Sequence, residues 1–231
     1  CLHPSSEVGD PSSAVLLWGS GKDCSYALWV LRRRGIRVGA LLTGITDGLG
    51  RTPAGARRSV MRRQAESIGL PLIEVGTPRG CDRATFVGHL GTALADPSLS
   101  EHGSIAAGNL MGPSDPIARL VCDGLEAATG KQMLMPFSGM APQEYARSLV
   151  ASGFRAVLTA VDTDVVDESF LGREYDAALL DDLPVGVDPG LEHPSFQTFA
   201  FDGPVYRHPV AFRLGKVARF AGVAHRDVQA A

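Results

Sequence analysis

The sequence predicts an α/β fold: a doubly wound, mainly parallel sheet followed by a smaller mixed α+β domain. Three observations carry this prediction. Apolar runs alternate with helical apolar patterns in a βαβαβαβ order through the first half. The first run, Val15–Trp18, leads directly into Gly19-Ser20-Gly21-Lys22-Asp23, a glycine-rich turn between strand and helix. The second half loses this regular alternation and mixes strand-like and helical stretches.

Val15–Trp18 is read as the first strand, and Tyr26, Ala27, Leu28, Val30 and Leu31 mark a helix over Asp23–Arg34, closed by Gly35. Val38–Ile45 is a second strand with an apolar run suited to a sheet buried on both faces. Arg57–Ile68 reads as a helix closed by Gly69, Pro71–Val75 as a strand, Asp82–Leu94 as a helix and Ser104–Ala107 as a short strand. Beyond these, helices are expected over Pro116–Thr129 and Gln143–Ser152, the latter entered at Pro142 and closed by Gly153. Phe154–Val161 is β-prone, Glu174–Leu183 is helical up to Pro184, and Phe196–Phe201 alternates as a strand. Pro97, Gly103, Gly112 and Pro113 suggest a boundary near 97–115. The expected layout is a tail over 1–13, a nucleotide-binding domain over 14–105, a substrate domain over 106–215 and a tail over 216–231.

In a parallel sheet, ligands gather at the carboxyl ends of the strands. Gly19–Lys22, the loop Thr46–Gly55 and Gly108-Asn109 all follow strands, so they should share one edge. The turn after the first strand offers backbone N–H groups at a helix N-terminus, where a phosphate can sit. Lys22 adds a cation, and Ser20 and Ser25 add hydroxyls. Two standard nucleotide motifs fail here. Leu16 and Asp23 replace the first glycine and the Ser/Thr of the Walker loop, and Cys24 replaces the third glycine of the Rossmann pattern. The turn alone is compatible with phosphate binding or with a structural turn, and Asp23 with a functional role or a helix cap.

The composition sets further limits. With 231 residues at 45% hydrophobic content, the chain can bury a core without disulfides. A net charge of −3 gives no case for nucleic acid, and the arginine clusters 32–34 and 57–63 read as solvated helix faces. None of the four cysteines forms C-x-x-C; Cys122 lies on an apolar helix face. No apolar run approaches the ~20 residues of a membrane helix. The polar first 13 residues lack the apolar core of a signal peptide. The expectation is a cytoplasmic protein with neither membrane nor nucleic-acid partner.

On these residues the chain resembles the N-type ATP pyrophosphatase (PP-loop) superfamily, and within it the diphthine–ammonia ligase-like branch. Gly19-Ser20-Gly21-Lys22-Asp23-Cys24 stands where that family carries S-G/S-G-K-D-S. Gly69-Leu70-Pro71-Leu72, Gly108-Asn109-Leu110 and Leu171-Gly172-Arg173-Glu174-Tyr175-Asp176 match later family elements in order. Asp188 to Phe199 aligns with D-P-C-G-E-x-G-E-F-H-T-F, and Asp202-Gly203-Pro204 with a final turn, so the likeness runs from about 14 to 210.

The resemblance implies a HUP-like PP-loop fold, ATP and Mg²⁺ as cofactors, and adenylation of a small-molecule carboxylate followed by amide formation with ammonia. It assigns nucleotide contact to Trp18, Gly19, Ser20, Gly21, Lys22, Asp23, Cys24 and Ser25. Thr43, Arg57, Gly108 and Asn109 join them further along. Lys22, Asp23 and Glu192 are the expected catalytic residues, with Asp23 the magnesium candidate. Asn109, Arg173, Glu192, His193, Ser195 and Gln197 are expected at the acceptor. A homodimer is compatible with the exposed ends of such sheets.

Departures concentrate at the acceptor end. Gly190, Leu191, Pro194, Ser195 and Gln197 replace the family's cysteine, two glycines, second glutamate and histidine, and Asn109 replaces an aspartate. Ser and Gln cannot take up a proton at neutral pH, so an acceptor other than diphthine, or a weakened enzyme, is expected. Two alternatives stay open: sulfur transfer through the same adenylate, suggested by Cys24, and a non-catalytic adenine-nucleotide binder. Among the remaining candidates, His193 is a surface residue or a replacement base, His89 a packed or solvated helix residue, and Asp162, Asp164 and Asp167 turn and cap residues before metal ligands.

Overall fold

A computed structural model describes residues 10–52, 54–108, 116–190 and 195–231. The expected parallel sheet is present. It runs β1 (Asp10–Leu17), β2 (Arg37–Thr46), β3 (Leu72–Thr77), β4 (His102–Ala106) and β5 (Gln132–Leu134), in the order β3-β2-β1-β4-β5. Every pairing in it is parallel.

Alternation along the strands decides which helices cover which face. Ala14, Leu16 and Leu41 point into a cluster with α1 (Lys22–Arg33) and α2 (Arg58–Ile68). Val15, Ala40 and Leu42 point the other way, into a cluster with α3 (Arg83–Leu94) and Leu125 of α4 (Pro116–Thr129). Because both faces are covered, these strands are apolar at consecutive positions. The chain winds outward from β1 in both directions, which places the topological switch point at the loop after β1.

The second unit follows α5 (Pro142–Ala151) and contains β6 (Arg155–Asp162), the short α6 (Ala177–Asp182), β7 (Phe196–Asp202), β8 (Phe212–Phe220) and β9 (Val223–Ala230). Its four strands form an antiparallel sheet, β7-β6-β9-β8. Among the described residues, no helix is long and apolar enough to cross a membrane.

Several boundaries differ from the sequence reading. β1 begins at Asp10, inside the expected tail, because Asp10 registers with His102 on β4. The parallel sheet continues to Leu134, past the expected boundary at 105, through the three-residue β5. Residues 216–231 are not a tail: they complete a hairpin, with Ala221 and Gly222 both at positive φ (48° and 78°) in its turn. The helix expected over Glu174–Leu183 shrinks to Ala177–Asp182, capped by the Asp176 side chain on the Leu179 amide.

The two sheets interlock at the glycine turn. The Ala200 amide on β7 donates to the Ser20 carbonyl at 2.9 Å, and the Lys22 amide donates to Thr198 Oγ1 at 3.0 Å. At the other end of α2, the Arg207 amide donates to the Ser67 carbonyl at 3.0 Å.

Candidate active site

The site starts with the turn itself. Gly21 is the N-cap of α1 in extended geometry and has no side-chain cap. Ser20 adopts φ 73°, a left-handed conformation that costs a non-glycine residue about 1–2 kcal/mol. The conformation is held through the Ser20 carbonyl, which accepts from Ala200 N and from Gln64 Nε2, each at 2.9 Å. Gln64 is fully buried, and its amide also reaches the Ala200 carbonyl (2.6 Å) and takes the Trp18 indole N–H (2.9 Å). With the Ser20 carbonyl turned toward β7, the amides of Ser20 and Gly21 have no protein acceptor among the described residues. These donors sit at the positive end of a 12-residue helix.

Gly108, after β4, closes the other side of the turn. A Cβ there would lie 2.4 Å from the Asp23 carbonyl oxygen and 2.8 Å from the Cys24 nitrogen. Only glycine allows β4 to run this close to the first turn of α1.

In front of the turn lies a cleft of about 1340 Å³, at the carboxyl ends of β1, β2 and β3 and against the antiparallel sheet. It exceeds the ~300–1,000 Å³ of an ordinary small-ligand pocket. Trp18, Gly19, Ser20, Gly21, Asp23 and Cys24 line it, as do Thr43, Arg57, Gly108 and Gln197. Arg51, Arg57, Arg79, Arg83, Lys216 and Arg226 face it against Asp23, Asp82 and Asp227. An acidic protein thus carries a cleft with an excess of positive charge, which draws in anions.

Part of that charge is organised by Asp227 on β9. Arg57 grips its carboxylate with Nε and Nη2, at 2.8 and 2.7 Å, and Arg51 adds Nη2 at 2.8 Å. Arg57 first, then Gln229 and Arg51, hold the Asp227 carboxyl well below its ordinary pKa against the opposing effect of burial. His225, on the same strand, is pushed below the usual imidazole value by burial, so it is neutral at pH 7.

Other expected site residues lie elsewhere. Lys22 is absent from the cleft wall: its fully buried side chain runs back toward the second unit, with Nζ 2.6 Å from Asp23 Oδ1 and 3.3 Å from the Gly190 carbonyl. Ser25 also points inward, donating to the Gly21 carbonyl at 3.1 Å and sharing a 2.8 Å bond with the Tyr206 hydroxyl. Arg173 pairs with Asp182 at 2.7 Å and stacks on Phe170, outside the cleft. Ser195 does not line the cleft either; its carbonyl accepts from the Asp162 amide. Asn109, Glu192 and His193 lie outside the described residues.

Sequence reasoning missed Gln64, Thr198, Lys216, His225 and Asp227. Alternation through 212–230 around Ala221-Gly222 was the available signal for the hairpin that carries the last three. A single glutamine inside an amphipathic helix gives no such signal.

Residues 141–221 match the family model of the diphthamide synthase C-terminal domain. The match spans α5 through β8 and stops short of β9, which supplies His225 and Asp227. A search of curated proteins finds no match. The matched domain, beside a parallel sheet with a glycine turn at its switch point, supports an ATP-utilising ligase-type enzyme of the PP-loop class.

Proposed function

We propose, on the premise that the matched domain places this chain in the diphthine–ammonia ligase-like branch of the PP-loop ATPases, that it adenylates a carboxylate and converts it to an amide. A carboxylate oxygen of the acceptor attacks the α-phosphorus of ATP, and pyrophosphate leaves. Ammonia then attacks the acyl carbon, and AMP leaves. The observation that carries this reading is the pair of open amides at Ser20 and Gly21, facing an arginine-rich cleft at the sheet's switch point. Charge builds on the phosphates as the bond breaks, so fixed donors and cations there stabilise the transition state. Arg57, oriented by Asp227, is a cleft-lining cation of defined direction at the N-cap of α2.

Magnesium fits this scheme as a passenger on ATP. Among the described residues, no three His, Cys, Asp or Glu side chains come together to hold a metal ion. An ion carried by phosphates needs only one or two protein carboxylates, and Asp23 lines the cleft beside the turn. Its Oδ1 is taken by Lys22 and by the Tyr145 hydroxyl, which leaves Oδ2 for the ion. Bound there, the ion would neutralise phosphate charge.

Gln197 in place of the family histidine lines the cleft as a neutral amide. That supports an acceptor other than diphthine, recognised by hydrogen bonds rather than by a titrating base. The Cys24 thiol donates to the Gly21 carbonyl at 3.1 Å and is buried, which supports nitrogen over sulfur as the nucleophile. The test is product analysis with ATP, ammonium and a panel of small carboxylates. AMP and pyrophosphate in equal amounts are expected, and Cys24→Ser should keep turnover within about threefold, as expected for a residue with a packing role. ADP and phosphate would contradict the reaction class. Tight ATP binding without pyrophosphate across the panel would favour the non-catalytic binder.

A further inference from the structure

Lys22 belongs to the glycine turn by sequence and to the second unit by contact. Its backbone amide donates to Thr198 Oγ1 at 3.0 Å. Its ammonium lies between three rings, one on α5 and two in the second unit: 5.3 Å from the centroid of Tyr145, 5.5 Å from Tyr175 and 5.7 Å from Phe196. All three rings are fully buried. The ammonium reaches the Gly190 carbonyl at 3.3 Å, and the Tyr175 hydroxyl donates to the neighbouring Pro189 carbonyl at 2.5 Å. Lys22 and Tyr145 also converge on the Asp23 carboxylate. One cation, enclosed by aromatic faces that favour it, thus joins the cleft-lining Asp23 to the turn 188–190.

We propose that Lys22 is a positioning residue. It fixes the turn 188–190 against the glycine loop, so that the acceptor side and the phosphate side of the cleft hold a common register, and it does not touch nucleotide. The ammonium points away from the cleft, and the phosphate donors of the turn are backbone amides that need no lysine. Tyr175 is the second support of the same turn, through the neighbouring Pro189 carbonyl. Only the consequence for turnover rests on the ligase reading; the strut itself is independent of it.

Lys22→Met keeps a long side chain in the cage and removes the charge. Hydrogen exchange of the peptide 184–190, which carries the Val187 and Gly190 amides, should quicken by about tenfold or more, as expected on losing a bond from a charged donor. Exchange across Arg83–Leu94, on the far face of the parallel sheet, should not change. ATP affinity, measured by calorimetry, should stay within about threefold, since no phosphate contact is lost. Where an acceptor is known, its KM should rise more than that of ATP. Tyr175→Phe removes only the hydroxyl and tests the same turn should Lys22→Met fail to fold. It should raise exchange in 184–190 by about threefold or more with ATP affinity unchanged, the effect of one neutral hydrogen bond.

Unchanged exchange in 184–190 in both variants would overturn the proposal. So would a fall in ATP affinity of about tenfold or more in Lys22→Met, which would place the ammonium on phosphate. A wild-type protein that binds no ATP, with both exchange effects present, would sink the ligase reading and leave the strut standing.

Discussion

Gln64 is the side chain on which the shape of the glycine turn depends, and replacing it gives a prediction with a magnitude. Gln64→Leu retains the volume and removes three hydrogen bonds. The Trp18 indole N–H then loses its partner in a buried setting, at a cost of about 1–3 kcal/mol. The Ser20 carbonyl keeps Ala200 N and the Ala200 carbonyl keeps a long contact from the Tyr206 hydroxyl, so each loses only one of two partners. Those two losses cost about 0.5–1.5 kcal/mol each. The sum is about 2–6 kcal/mol, which for a chain of this length lowers Tm by roughly 4–24 °C. Ser20 also becomes free to leave its left-handed conformation, which should weaken ATP binding by about tenfold or more, about 1.4 kcal/mol. Urea unfolding followed by circular dichroism gives the first quantity and calorimetry with ATP the second. Gln64→Glu should be worse on both counts, because it sets a buried carboxylate against the Ser20 and Ala200 carbonyl oxygens. A loss below about 1 kcal/mol with unchanged ATP affinity in Gln64→Leu would refute the role given to this residue.

Three further outcomes follow from other contacts. Asp227→Asn should cost only about 1–2 kcal/mol, because Arg51 and Arg57 are partly solvated and screening reduces the ion pairs. The carboxyl's folded pKa is depressed, so this contribution is fully present above the unfolded value near ~4 and fades as pH falls further. Unfolding curves should therefore show a constant gap between wild type and Asp227→Asn from about pH 6 to pH 8 that narrows in acid; a gap that widens in acid would be contrary. Gly108→Ala forces a Cβ against the backbone of Asp23 and Cys24 and should displace the first turn of α1. The expected result is a native far-ultraviolet spectrum, a stability loss of about 1–3 kcal/mol and ATP affinity down by about tenfold or more. Ala221→Gly should stabilise the β8–β9 turn by up to about 1 kcal/mol, as relief of left-handed strain outweighs added chain freedom; a lower Tm would count against that.

The parallel sheet was legible because its strands announce themselves. Val15–Trp18 is apolar at every position and Val38–Ile45 at all but Thr43, and Gly35 and Gly69 mark helix ends at positive φ. The glycine turn was legible for the same kind of reason, since Gly19 and Gly21 interrupt the apolar run and permit a tight bend before α1. The direction of Lys22 was not legible. At the first position of α1 the side chain goes where a partner waits, and its cage is built from Tyr145, Tyr175 and Phe196, far along the chain. Arg173 fell to the same difficulty: Asp182, nine residues away, takes the charge that a family motif assigned to substrate. β5 is too short to show a period. The hairpin β8–β9 was missed because 216–231 was read as a tail, whereas its alternation and the Ala221-Gly222 step fit a strand pair that walls the cleft.

The central claim is that the turn 19–24 holds the phosphates of ATP through its open amides. A crystal structure with α,β-methylene ATP, which cannot be cut at the reacting bond, tests it most directly. The account predicts phosphate oxygens within about 2.7–3.2 Å of the Ser20 and Gly21 amides, with Arg57 facing the same ligand and Lys22 still in its aromatic cage. Phosphates bound elsewhere, with those two amides turned to solvent, would contradict it.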